Sequence, residues 1–207
     1  MFSKLFFEMK VFCMTDQTKM KNFLTPAQLG YIAGFLDGDG SIITQIVQRP
    51  GNDLKYQIRF TISFFQKTKR KHFLIQLHDE LKKGTLRDRN DGMSEINIVG
   101  WQSVLPLLEQ LRPYLRIKLK QANLVMKIIE QLPLAKKSPD KFLELCSLTD
   151  QVSDLNDSKK RQYDRSSVEK TFLDLGIIGE IKAPVETFSV EECLTNGQED
   201  CIPTDEQ

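Results

Sequence analysis

Asp37 and Asp39 stand two residues apart, interleaved with Gly38 and Gly40, at the end of the apolar segment Ile32-Ala33-Gly34-Phe35-Leu36. Two carboxylates among glycines suit a hard, oxygen-seeking cation and a closely approaching backbone. A calcium-binding EF-hand loop also begins Asp-x-Asp, but it needs glycine at its sixth position, where this chain has Ile42. Helix capping is the other common use of such acids. Here they fall at the expected C-terminus of a helix, where the dipole disfavours carboxylates, so no stability argument accounts for them.

The element that must carry these acids has a marked start. Thr25 is placed as N-cap, Pro26 as the first helical residue and Gln28 as the reciprocal partner of a capping box, which predicts a helix over residues 26–38. Gly30, Ala33, Gly34 and Gly38 recur at helical spacing and are expected on one face. A mid-helix glycine costs about 1 kcal/mol relative to alanine, a cost that close approach of a second helix would explain. The described spacing occurs once and the chain has no internal repeat, so that second helix is expected from another copy of the chain.

Strands follow the helix. Residues 41–48 are β-branched and residues 49–53 read as a turn. Between 55 and 65 the alternation is clear: Tyr56, Ile58, Phe60, Ile62 and Phe64 point one way, while Lys55, Gln57, Arg59, Thr61 and Ser63 point the other. The polar face of an ordinary half-wet sheet would mix acids with bases, and this segment has no acid. That favours a nucleic-acid face. A hairpin is expected from residues 85–89 and 94–99 across Asn90-Asp91-Gly92, with Thr85, Arg87 and Arg89 on one face. Further helices are predicted over 69–82 (Phe73, Leu74, Leu77 and Leu81 inward, Gly84 as stop), 101–112, 119–132, from Pro139 to about 155, and from a Ser166–Glu169 capping box to Gly176.

The chain has 207 residues and a formal net charge of +1. That average conceals an asymmetry, because residues 180–207 hold eight acids and one base, leaving a basic remainder. A basic body with an acidic tail points to a polyanionic partner. No apolar run is long enough to span a membrane. Phe6, Phe7, Val11 and Phe12 are interrupted by Glu8 and Lys10, a poor signal peptide. Cys13, Cys146, Cys193 and Cys201 form no C-x-x-C pair, so neither a disulfide framework nor a zinc site is expected. His72 and His78 are read as ordinary boundary histidines.

Ile32-Ala33-Gly34-Phe35-Leu36-Asp37-Gly38-Asp39-Gly40 closely resembles the LAGLIDADG motif of homing endonucleases. Similarity continues through Gln66-Lys67-Thr68-Lys69-Arg70, Arg87-Asp88-Arg89, Lys118 to Leu124, and Ser138 to Glu144. The single copy is similar to the homodimeric branch encoded by group I introns in algal organelle ribosomal RNA genes. The resemblance implies an α+β fold, with an αββαββα core, a four-stranded antiparallel DNA-binding sheet, extra C-terminal helices and a homodimer. Residues 1–23 are expected to be a mobile arm, 24–178 the endonuclease domain and 179–207 an acidic disordered tail.

By the same resemblance, Asp39 and the Gly38 carbonyl bind Mg²⁺ (or Mn²⁺), and Asp39, Gln66, Arg70 and Lys118 are catalytic. Gln66 is expected to orient water, and Arg70 and Lys118 to offset phosphate charge. Gly30, Ala33, Gly34 and Asp37 are assigned to the dimer interface. Gln45, Gln57, Arg59, Ser63, Arg87 and Arg89 are assigned to reading DNA, since arginine suits guanine and glutamine suits adenine in the major groove. Lys159, Lys160 and Arg161 are expected on phosphates. The expected substrate is a double-stranded, pseudo-palindromic DNA of about two helical turns, roughly 20 base pairs. The implied activity is a staggered double-strand cut in an intron-less site that promotes intron homing. The implied location is the chloroplast, with the mitochondrion as alternative. A nuclease-free maturase or DNA-binding regulator on the same fold is the competing reading.

Overall fold

The computed structural model describes residues 24–157 and 161–178. The predicted N-terminal arm, the acidic tail, Lys159 and Lys160 lie outside these residues. Helix α1 (Pro26–Asp39) leads into strands β1 (Gly40–Gln48) and β2 (Tyr56–Lys67). A 3₁₀ turn (Thr68–Arg70) precedes helix α2 (Lys71–Leu81), and strands β3 (Thr85–Asp88) and β4 (Met93–Val99) follow. Helix α3 (Trp101–Leu111), a second 3₁₀ turn (Arg112–Tyr114) and helices α4 (Leu119–Ala135), α5 (Pro139–Asp154) and α6 (Arg165–Asp174) complete the elements of the described residues. No helix among the described residues is long and apolar enough to cross a membrane.

The sheet is antiparallel throughout, in the order β1-β2-β4-β3. Its core face follows from alternation: Tyr56, Ile58, Phe60, Ile62 and Phe64 are buried along β2, with Ile42 and Ile46 on β1 and Ile96 and Ile98 on β4. Ile32, Leu36, Leu74, Val104, Leu108, Val125 and Phe142 from the helices are buried in the same core. Helices therefore cover one face of the sheet and leave the other free of helices.

Local signals are realised with three shifts. Thr25 and Gln28 make the reciprocal capping box at the start of α1, and Ser138 caps α5. Helix α6 is capped instead by Asp164, whose carboxylate accepts from the Ser167 N–H at 2.9 Å. That is two residues earlier than Ser166, and the carboxylate is the stronger acceptor for a helix start. Helix α2 ends at Lys82 in the left-handed conformation (φ 50°) rather than at Gly84. Gly84 (φ 95°) serves the sheet, since a Cβ there would lie 2.9 Å from both Ile96 and Ile98 side chains. Phe73 is exposed rather than inward, leaving Leu74 and Leu77 as the buried stripe of α2.

Candidate active site and nucleic-acid face

Asp39 is the last residue of α1 and is exposed, as is Gly38 beside it. Gly40 pairs with Phe64 across β1 and β2. Because the pair is antiparallel, stepping back to Asp39 and forward to Gln66 runs toward the same end of the sheet. Gln66 Oε1 there accepts from the Lys67 N–H at 3.0 Å and from Arg70 Nη1 at 3.4 Å. Lys118 reaches the same tip from the start of α4, with Nζ donating to the Asp37 carbonyl. The fold thus gathers Asp39, Gln66, Arg70 and Lys118 at one end of the β1–β2 pair, from positions up to 79 residues apart.

Asp37 has a task that its sequence assignment did not include. Its carboxylate accepts three backbone N–H groups, from Arg116 (2.8 Å), Ile117 (3.2 Å) and Lys118 (2.9 Å). These donors belong to the turn that leads into α4, which starts at Leu119 with Lys118 as its N-cap residue. Asp37 therefore pins the segment that leads into α4, and the stability argument missing from its own helix is supplied by these three hydrogen bonds. Partial burial works to raise its pKa, but the three backbone donors, with the Lys118 charge, hold it below the ordinary value. Both carboxylate oxygens of Asp37 thus accept from N–H groups of its own chain.

The small-residue face also divides. Ala33 is fully buried in the protomer's own core and is not available to a partner. Gly30 is half-buried beside Tyr114. Gly34 and Gly38 are exposed, with nothing within 4 Å of where a Cβ would sit. Ala27 and Tyr31 are exposed with them at helical spacing, and Tyr31 stacks on Phe35 and Phe35 on Phe64. Tyr31 was missed by a reading keyed to small side chains. Its position four residues after Ala27 and three before Gly34 was the available signal.

On the helix-free face, Gln57, Gln45 and Arg59 are exposed, and Arg59 Nη2 donates to Gln45 Oε1 at 2.6 Å across the β1–β2 pair. Ser63 is 2% exposed and its hydroxyl donates to Asn97 Oδ1, so it is not free to contact a ligand directly. Asn97 Nδ2 in turn donates to Glu95 Oε1 at 2.6 Å. Glu95, only 3% exposed, pairs with Arg87 and lies 3.6 Å from Arg89, which also pairs with Asp91. The face expected to lack carboxylates therefore contains one, contributed by the neighbouring strand. Arg87 and Arg89 are held guanidinium groups rather than free cations. Glu95 and Asn97 were legible only as the polar positions alternating with Ile96 and Ile98.

Arg161, expected on a phosphate, is bound to Asp150 and Asp154 at 3.0 Å each. His72 is exposed, and His78 Nε2 lies 3.3 Å from the Gly84 carbonyl, so neither joins the site. Among the described residues, no group of three or more His, Cys, Asp or Glu side chains gathers to hold a metal.

A family model described as LAGLIDADG endonuclease matches residues 32–129. DNA endonuclease I-CreI of Chlamydomonas reinhardtii is 49% identical over 138 residues, which are 67% of this chain and 84% of that protein. DNA endonuclease I-CvuI of Chlorella vulgaris is 43% identical over 155 residues, 75% of this chain and 96% of that protein. A crystal structure of I-CvuI with the I-CreI target in 2 mM Mg, its DNA not cleaved, matches with a TM-score of 0.69 and 41% identity. It covers 74% of this chain and 97% of that one. This chain belongs to the LAGLIDADG endonuclease family.

Proposed function

We propose that two copies of this chain form a site-specific DNA endonuclease that cuts both strands of an intron-less target and so promotes intron homing. The observation that carries this reading is the exposed Asp39 at the tip of α1, at the sheet end that also holds Gln66, Arg70 and Lys118. The bare outer face of α1 at Gly34 and Gly38 supports pairing of two such helices.

The donors at the tip fit a hard divalent ion, and Mg²⁺ above others. Asp39 offers a solvent-facing carboxylate and Gly38 a main-chain carbonyl, both oxygen donors. Magnesium is commonly bound by one or two carboxylates plus substrate phosphates, so a single acid per protomer suffices. When bound, the ion supplies charge relief at the scissile phosphate and acidifies water.

The chain's own groups do the rest. Gln66 spends its Oε1 on the Lys67 N–H and Arg70, which leaves its NH₂ to donate to a water or a phosphate oxygen. Arg70 uses one of five N–H groups on Gln66 and keeps the others for phosphate. Lys118 gives one of three protons to the Asp37 carbonyl, which fixes its ammonium beside the tip with donors to spare. Such prepositioned cations stabilise the charge that develops on the phosphoryl oxygens.

Sequence is read by the helix-free face. Strand β2 has 12 residues and spans about 40 Å, a little more than one duplex turn, so two protomers cover about two turns. By the same reading the gene lies in an organelle ribosomal RNA intron, in the chloroplast in preference to the mitochondrion. The joined flanking exons are then the target. Supercoiled plasmid carrying that joined sequence should be linearised in Mg²⁺ and left intact in EDTA. Binding without any linear product would instead favour a maturase or regulator.

A further inference from the structure

The side of β3 opposite Arg87 carries Asp88, and both of its carboxylate oxygens are occupied. Ser94 Oγ donates to Oδ1 at 2.7 Å, and Lys71 Nζ donates to Oδ2 at 2.7 Å. The Lys71 ammonium, and after it the Ser94 hydroxyl, hold the Asp88 carboxyl below its usual range, so at neutral pH it only accepts. Ser94 is fully buried, and its Oγ lies 3.1 Å from Thr68 Oγ1. A hydroxyl has one proton. Ser94 gives its proton to the carboxylate and receives that of Thr68.

Thr68 opens the 3₁₀ turn that carries Arg70, and its N–H also donates to the Gly92 carbonyl at 2.9 Å. Lys71 follows the turn directly. The turn has no side-chain cap and buries no residue, so these polar contacts to the β3–β4 hairpin are what locate it. The register makes the arrangement compact. Gln66, Ser94 and Asp88 lie opposite one another on β2, β4 and β3, while the next row, Phe65, Glu95 and Arg87, belongs to the helix-free face. One hairpin thus presents reading groups on one side and, one residue along, grips the cleaving turn on the other.

We propose that Thr68, Ser94 and Asp88 form a clasp through which the DNA-reading hairpin holds the Gln66–Arg70 turn in its cleaving position, with Ser94 as the positioning residue. The proposal rests on the nuclease reading given above. Without the clasp the turn retains its sequence and its cations but loses its fixed place beside Asp39. Target binding, which uses the other side of the hairpin, is left intact.

The test uses the full chain, with Ser94→Ala and, from the exposed side of the clasp, Lys71→Met. Single-turnover cleavage is measured in Mg²⁺, target affinity in EDTA, and amide exchange over residues 67–71. Ser94→Ala should slow cleavage about 10–100-fold, the scale set by misplacing catalytic groups by about an ångström. Target affinity should hold while exchange at Thr68 quickens, and Lys71→Met should act in the same direction. Cleavage at the wild-type rate by both variants, with wild-type itself active, overturns the clasp and leaves the nuclease reading standing. Should Ser94→Ala fail to fold, Lys71→Met alone decides. A wild-type chain that binds but never cuts overturns the nuclease reading, and the clasp with it.

Discussion

Asp37 and Lys118 are joined twice: the Asp37 carboxylate accepts the Lys118 N–H at 2.9 Å, and the Lys118 ammonium donates back to the Asp37 carbonyl. One acid thereby pins the turn before α4 and anchors a cation beside the tip of α1. Fold stability and the placing of a candidate catalytic group share one contact.

Removing that acid should therefore show in two readouts. Asp37→Ala leaves three N–H groups of the turn before α4 without their acceptor, and the expected loss is about 1–3 kcal/mol in denaturant unfolding. Cleavage should fall further than stability does, because Lys118 loses its register. The acid's folded pKa is depressed below 3.8, so its stabilisation is present above that value and is lost as pH falls through the folded pKa. Asp37→Asn should flatten that acid limb of the melting-temperature profile. An unchanged limb would contradict the anchoring role.

Glu95 restrains two arginines on the helix-free face. Glu95→Gln removes the restraining charge and keeps the shape, so Arg87 and Arg89 become freer to meet any phosphate. Binding to random-sequence DNA should tighten, and the plot of log affinity against log salt should steepen by about one unit. Discrimination between the target and random DNA should shrink. Anisotropy titrations over a range of KCl measure both quantities.

Gly34 faces open space within the protomer. Gly34→Leu should make the isolated chain more stable by up to about 1 kcal/mol through helix propensity. The same side chain would hold two α1 helices apart, so sedimentation should show a monomer and cleavage should be lost. A retained dimer would contradict pairing through this face.

The parts of the structure set by local chemistry could be read directly from the sequence. Alternation in β2 placed Tyr56, Ile58, Phe60, Ile62 and Phe64 in the core, where all five are buried. The Thr25–Gln28 capping box and the Ser138 cap were likewise legible, because each is closed within four residues. Asp37 was not, since its partners lie 79 to 81 residues away and no local rule announces them. Ala33 was misassigned because small size was equated with an open face, whereas the helix turns that position into its own core. At α6 the sequence reading placed the cap at Ser166, whereas Asp164 is the residue whose carboxylate accepts from the Ser167 N–H. Ser63 and the Glu95 pairs depend on which strand lies beside which, an arrangement that a single strand's alternation does not contain.

The most direct measurement is made on Asp39→Asn, which keeps the shape of an exposed residue and removes its charge. Wild-type and variant are compared on the joined-exon target, with affinity measured in EDTA and cleavage in Mg²⁺. A metal-binding role for Asp39 predicts unchanged specific binding and no detectable linear product from the variant. Cleavage by Asp39→Asn at the wild-type rate would contradict it.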